Sequence, residues 1–75
     1  MVFDKVCEMI ADVLQLDPST ITPDSDISGQ LEADSLDIIE IVTNLEDEYG
    51  IHFPDEELAN MKKVSDLVDY IEKNI

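Results

Sequence analysis

Apolar residues in this chain return at steps of three and four, with acidic residues filling the gaps between them. That is the period of an α-helix, and it leaves few folds open. Phe3, Val6, Cys7, Ile10, Val13 and Leu14 set it first, with Asp4, Lys5, Glu8 and Asp12 between, which predicts an amphipathic helix over roughly residues 2–15. Leu36, Ile38, Ile39, Ile41, Val42, Leu45 and Tyr49 set it again, from Asp34-Ser35 as far as Gly50. Asp34 is a good N-cap, Asp37 completes an all-aspartate capping box, and Gly50 is a C-terminal stop. Val64, Leu67, Val68 and Ile71 set it a third time over roughly 64–73, with Asp66, Asp69 and Glu72 facing outward. The β-branched runs Ile38-Ile39 and Ile41-Val42 favour strands locally, but the acidic punctuation at helical period outweighs them.

The connectors complete the architecture. Residues 17–34 hold Pro18, Pro23 and Gly29 and show no sustained period. Ile21, Ile27 and Leu31 are spaced through this stretch as anchors, so it reads as an ordered, packed loop. Pro54 followed by Asp55-Glu56-Glu57 marks a further helix start, which Leu58 and Met61 extend for one or two turns. The expected fold is all-α: three principal helices and one short one, no sheet, and a long ordered loop between the first two helices. On the second helix, Ile39, Val42, Leu45 or Glu46, and Tyr49 trace the side expected to meet the core. Asp37, Glu40, Asn44 and Asp47 trace a polar stripe, joined near its end by Glu48.

Charge narrows the partners. Nineteen acidic residues against four lysines leave 75 residues with a net charge of −15. Such a chain has no electrostatic footprint for nucleic acid or an anionic membrane, and its natural partners are basic. Hydrophobic residues at 44%, placed at helical spacing, separate it from a disordered acidic tail. The length suits one domain spanning residues 1–75. Self-repulsion should make its stability rise with salt. No apolar run is long enough to span a bilayer, and no signal or transit segment opens the chain, so a cytoplasmic, monomeric protein is expected.

Catalytic chemistry has little to work with. His52 is the only histidine and lies in a connector between Ile51 and Phe53, where it reads as a surface or packing residue. Cys7 falls on the apolar stripe of the first helix and reads as core. An EF-hand loop started at Asp24 places Asp26, Ser28 and Gly29 suitably, but its twelfth position is Ser35 instead of a bidentate glutamate. No specific metal site and no catalytic residue are expected.

Ser35 stands apart. It follows the long loop directly and opens the most acidic helix. A serine there is usually a cap, but Asp34 already fills that role. A hydroxyl at a helix N-terminus is also well placed to carry a phosphate, because free backbone N–H groups and the helix dipole favour an anion. The neighbouring acids oppose a bare phosphate, which makes a phosphodiester to something larger the more sensible load.

The stretch Leu31-Glu32-Ala33-Asp34-Ser35-Leu36-Asp37, followed by Ile39-Glu40-Ile41-Val42 and Leu45-Glu46-Asp47-Glu48-Tyr49, resembles the acyl carrier protein family, closest to its free-standing bacterial fatty-acid branch. Phe53-Pro54-Asp55-Glu56-Glu57 and Val68-Asp69-Tyr70-Ile71 resemble it too, so the likeness runs along nearly the whole chain. The resemblance implies a small acyl-carrier bundle that bears 4′-phosphopantetheine on Ser35, transferred from coenzyme A by a separate phosphopantetheinyl transferase. The arm's thiol, and not Cys7, then holds acyl groups as thioesters for fatty-acid synthesis enzymes. Asp34, Leu36, Asp37, Glu40, Asp47 and Glu48 are the residues expected to meet basic docking patches on the transferase and on acyl-processing enzymes. The apolar helix faces, including Ile39, Val42 and Leu45, are expected to part around an acyl chain.

Two positions depart from the family pattern. Glu32 stands where glycine is common, and Thr43 where bacterial fatty-acid carriers often have methionine. Both bear on which partner enzymes recognise the protein. The alternative carrier role is service to polyketide, peptide or specialised lipid synthesis. An acidic interaction module with no prosthetic group is the rival class, and an independent small enzyme is a distant third.

Overall fold

The computed structural model describes all 75 residues. Helix α1 spans Val2–Leu14 and ends at Gln15, whose left-handed backbone (φ 59°) turns the chain out of the helix. A single 3-10 turn, Pro18–Thr20, follows, capped by the Asp17 carboxylate, which accepts the Ser19 N–H at 2.9 Å. Helix α2 spans Ser35–Tyr49, α3 is one turn at Asp55–Leu58, and α4 spans Val64–Asn74. There is no strand, only an isolated antiparallel bridge between Asp26 and Lys63. The all-helical expectation holds, and the bounds of the three principal helices agree to within a residue or so, while α3 stops at Leu58 and leaves Met61 beyond it. Pro54 differs slightly: it sits in the cap position, with the extended ψ of 148°, and the helix begins at Asp55.

Helix α1 packs against both α2 and α4. The core is a continuous cluster, with Val6, Ile10, Leu45, Val64 and Ile71 fully buried at its centre and Ile41 and Phe53 beside them. The 17–34 connection is ordered for a physical reason. Ile21, Ile27 and Ala33 are buried, and the backbone N–H of Ile27 donates to the Lys62 carbonyl at 2.9 Å. Val64 N–H in turn donates to the Ser25 carbonyl, so the long loop is stitched to the start of α4. Ser25 is buried, and its hydroxyl accepts the Thr22 N–H at 3.0 Å, which satisfies a polar group that burial would otherwise penalise.

The α2–α3 connector is held just as firmly. The Glu46 carboxylate accepts the Phe53 N–H at 2.7 Å and lies 3.1 Å from His52 Nδ1. Tyr70 of α4 donates its hydroxyl to the His52 carbonyl at 2.8 Å and stacks its ring on Phe53, with centroids 4.8 Å apart. His52 is thus a surface residue whose backbone carbonyl ties the connector to α4. No helix is long and apolar enough to cross a membrane.

One expectation is corrected on α2. Ile39 is not on the core side; it is 60% exposed. The buried side is made by Ile41, Val42 and Leu45, with Ile38 and Tyr49 partly covered. Five apolar residues within positions 36–42 fit two phases of the same period. Contact with α1 selects the phase centred on Ile38, Ile41, Val42 and Leu45, and Ile39, about 100° round the helix from Ile38, is left facing solvent.

Candidate functional site

The start of α2 is built by two aspartates acting on each other's backbone. Asp34 Oδ1 accepts the Asp37 N–H at 2.9 Å, and Asp37 Oδ2 accepts the Asp34 N–H at 3.3 Å. This is the capping box the sequence predicts, and it leaves Ser35 free of capping duty. Ser35 is the first helical residue and is exposed. The Ile38 N–H is bonded to the Asp34 carbonyl, but the N–H groups of Ser35 and Leu36 have no partner within the chain. An exposed hydroxyl therefore sits beside two unused donors at the positive end of a helix of 15 residues.

The approach to the site is strained at one residue. Glu32 adopts φ 60°, in the left-handed region that favours glycine. The departure from the family pattern thus falls on a residue whose backbone conformation suits glycine, and the turn into α2 is formed nonetheless.

Leu36 is 76% exposed and lies with Ile39, Glu40, Thr43 and Asp47 on the outward side of α2. This side is more apolar than the acidic stripe alone suggests. The other residues expected to meet partners are placed less uniformly. Asp34 and Asp37 each use a carboxylate oxygen in the cap. Glu40 and Asp47 are exposed and make no ion pair. Glu48 leans toward α1, with a carboxylate oxygen 4.0 Å from Lys5 Nζ. Ile39 is the surface residue that sequence reasoning missed, and nothing short of the helix phase could have revealed it.

Below the first turn of α2 lies a small apolar cleft. Ile38, Ile41 and Val42 of α2, Ile27 of the long loop, Leu58 and Met61 around α3, and Leu67 of α4 form its walls. Its free volume is about 30 Å³, room for only a few water-sized groups. Of Ile39, Val42 and Leu45, the residues expected to part around an acyl chain, Val42 lines the cleft, whereas the exposed Ile39 and the fully buried Leu45 lie outside it. Cys7 is elsewhere, buried in α1, where burial foremost and the Asp4 charge after it push its thiol pKa up. A protonated, buried thiol is a poor nucleophile.

The family model described as a phosphopantetheine attachment site matches residues 4–71. An acyl carrier protein of Rickettsia canadensis is 48% identical over 69 residues, which cover 92% of this chain and 80% of that one. The chain belongs to the acyl carrier protein family. A meromycolate extension acyl carrier protein of Mycobacterium leprae is 43% identical over 68 residues, 91% of this chain and 59% of that one. Among solved structures, one from Mycobacterium tuberculosis described under the acyl carrier protein name superposes with a TM-score of 0.93 at 25% identity, covering all of both chains. As in its family, the cofactor of this acyl carrier protein is covalently attached phosphopantetheine. The start of α2 fits such a group: an exposed hydroxyl to esterify and two free N–H groups to receive phosphodiester oxygens.

Proposed function

We propose that Ser35 bears the 4′-phosphopantetheine and that the chain serves as a carrier of acyl groups, in fatty-acid synthesis before other pathways. The observation that carries the reading is the division of labour at the α2 start. Asp34 and Asp37 complete the cap without Ser35, whose hydroxyl is left exposed beside unused backbone donors. When bound, the group supplies a terminal thiol on which acyl groups ride as thioesters.

The chain's own residues do the rest without catalysing anything. The Ser35 and Leu36 N–H groups, free of partners within the chain, would hold the phosphodiester oxygens. The outward side of α2 offers Leu36 and Ile39 as apolar contacts inside a field set by Glu40 and Asp47. Partners with basic patches are drawn in quickly and held weakly, as a carrier visiting several enzymes in turn requires. Tethering raises the cargo's effective concentration at whichever enzyme has docked. The fatty-acid assignment rests on the Asp34-Ser35-Leu36-Asp37 pattern and on the general carrier name of relatives such as that of Rickettsia canadensis. The meromycolate extension relative supports service to a long-chain lipid pathway as the second reading.

The test is a two-stage loading. The chain is incubated with coenzyme A and a phosphopantetheinyl transferase, then with a fatty-acid acyl transferase and its acyl-coenzyme A. A hydroxylamine-labile acyl adduct supports the carrier. Absence of any prosthetic group after the first stage would identify a plain acidic interaction module.

A further inference from the structure

Lys62 is out of keeping with its surroundings. The chain has four lysines against nineteen acidic residues. Lys5 is paired with Glu8 at 3.8 Å and Glu48 at 4.0 Å, whereas Lys62, like Lys63 and Lys73, has no carboxylate within ion-pair distance, and it alone of the lysines lines the apolar cleft. Its backbone is fixed on both sides: the N–H donates to Asp66 Oδ2 at 2.9 Å and the carbonyl accepts the Ile27 N–H at 2.9 Å. The residue itself is exposed and lines the apolar cleft, where Ser28 is the only other polar residue. The single charged residue of that cleft is therefore an unpaired cation on a strongly anionic molecule.

We infer that Lys62 is a cargo-specificity residue, which holds the carboxylate of a short dicarboxylic acyl group at the cleft mouth. The inference rests on the carrier reading of Ser35. An arm rooted at Ser35 has one helical turn, about 5 Å, to pass before it reaches Ile38 in the cleft wall. The free volume of about 30 Å³ is too small for a long acyl chain unless the helices move apart, but a short group rests at the mouth without that cost. A tethered carboxylate is repelled by most of a surface carrying −15. The Ser35 and Leu36 N–H groups are free to receive the phosphodiester, which leaves the lysine to the cargo. A saturated acyl group offers the ammonium nothing. A cargo carboxylate offers it an ion pair beside an apolar wall that excludes part of the surrounding water.

The test compares two four-carbon cargoes, succinyl and butyryl, loaded on the arm of the full chain. Loading is verified first by mass, and failure to load at Ser35 would overturn the carrier reading together with this one. Each loaded form is then treated with formaldehyde and a mild reductant, and methylation of each lysine is read by peptide mapping. The succinyl form should methylate at Lys62 about threefold more slowly than the butyryl form, a factor in keeping with a partly exposed ion pair, with Lys73 unchanged. Succinyl-specific amide shifts at Ser28 and Ile38 should vanish in Lys62→Met, which keeps an apolar stem, and persist in Lys63→Met. Equal methylation of Lys62 in the two forms, or succinyl-specific shifts that survive Lys62→Met, would overturn the inference.

Discussion

Asp34 and Asp37 hold each other's backbone N–H, at 3.3 and 2.9 Å, across the residue that the carrier reading needs free. Removing the cap should therefore cost stability whether or not the arm is present. Asp34→Ala is expected to lower unfolding stability by about 1 kcal/mol, read from urea melts of the unloaded chain. Ser35→Ala is expected to leave the midpoint almost unchanged. A Ser35→Ala loss as large as that of Asp34→Ala would mean that the serine is part of the cap.

Glu32 carries a side chain in a conformation that suits glycine. Glu32→Gly should raise stability by about 0.5–1 kcal/mol, the relief of left-handed strain exceeding the added freedom of the unfolded chain. Glu32→Gln keeps the Cβ and removes the charge, and should gain less. Equal gains in thermal melts would assign the effect to charge and not to the backbone.

The phase of α2 makes a sharp contrast between neighbours. Ile41 is 1% exposed and Ile39 is 60% exposed. Ile41→Ala should cost about 2–5 kcal/mol, in the range of buried large-to-small changes, and Ile39→Ala less than about 0.5 kcal/mol. Ile39→Ala should instead weaken docking to the transferase. Glu40→Lys should slow association with it, by a margin that shrinks as salt rises. Glu8→Lys and Glu72→Lys serve as charge-matched controls, and an equal slowing in these would mean that net charge alone governs the encounter.

Asp66 gives a pH signature. Its carboxylate accepts the N–H groups of Lys63 at 3.0 Å and Lys62 at 2.9 Å, which hold its pKa below the ordinary aspartate range. A depressed folded pKa adds stability above the unfolded pKa, and that stability is lost as pH falls through the folded value. Asp66→Asn should be less stable than the parent at neutral pH. The gap should close as pH drops below the ordinary aspartate range, followed by acid titration of both proteins. A gap that stays constant down to the lowest pH would rule out the carboxylate as its source.

Much of this was legible in the residues because the signals were local. Asp34, Asp37 and Gly50 fix the ends of α2 by their own chemistry, and Ser35 follows from them. The long loop was legible as ordered from Ile21 and Ile27, but its stitching to α4 through Ser25, Lys62 and Val64 depends on backbone groups that carry no sequence signal. The exposed Ile39 was not legible, since a dense apolar run fits more than one phase and only packing against α1 chooses. The tie of Glu46 to Phe53, seven residues on, lies beyond any helical or turn pattern. Glu32 departs from the family pattern in the sequence itself, but its positive φ belongs to the folded chain alone.

The most direct measurement is site mapping of the prosthetic group. The parent, Ser35→Ala and a variant with Ser19, Ser25, Ser28 and Ser65 changed to alanine are each incubated with coenzyme A and a phosphopantetheinyl transferase. Far-ultraviolet circular dichroism first establishes that each is folded; should the buried Ser25 prove indispensable, its alanine is reverted. Intact mass and peptide fragmentation should show one phosphopantetheine on the parent and on the multiple variant, located at Ser35, and none on Ser35→Ala. A folded Ser35→Ala that still gains the group, or a parent loaded at any other serine, would contradict the account.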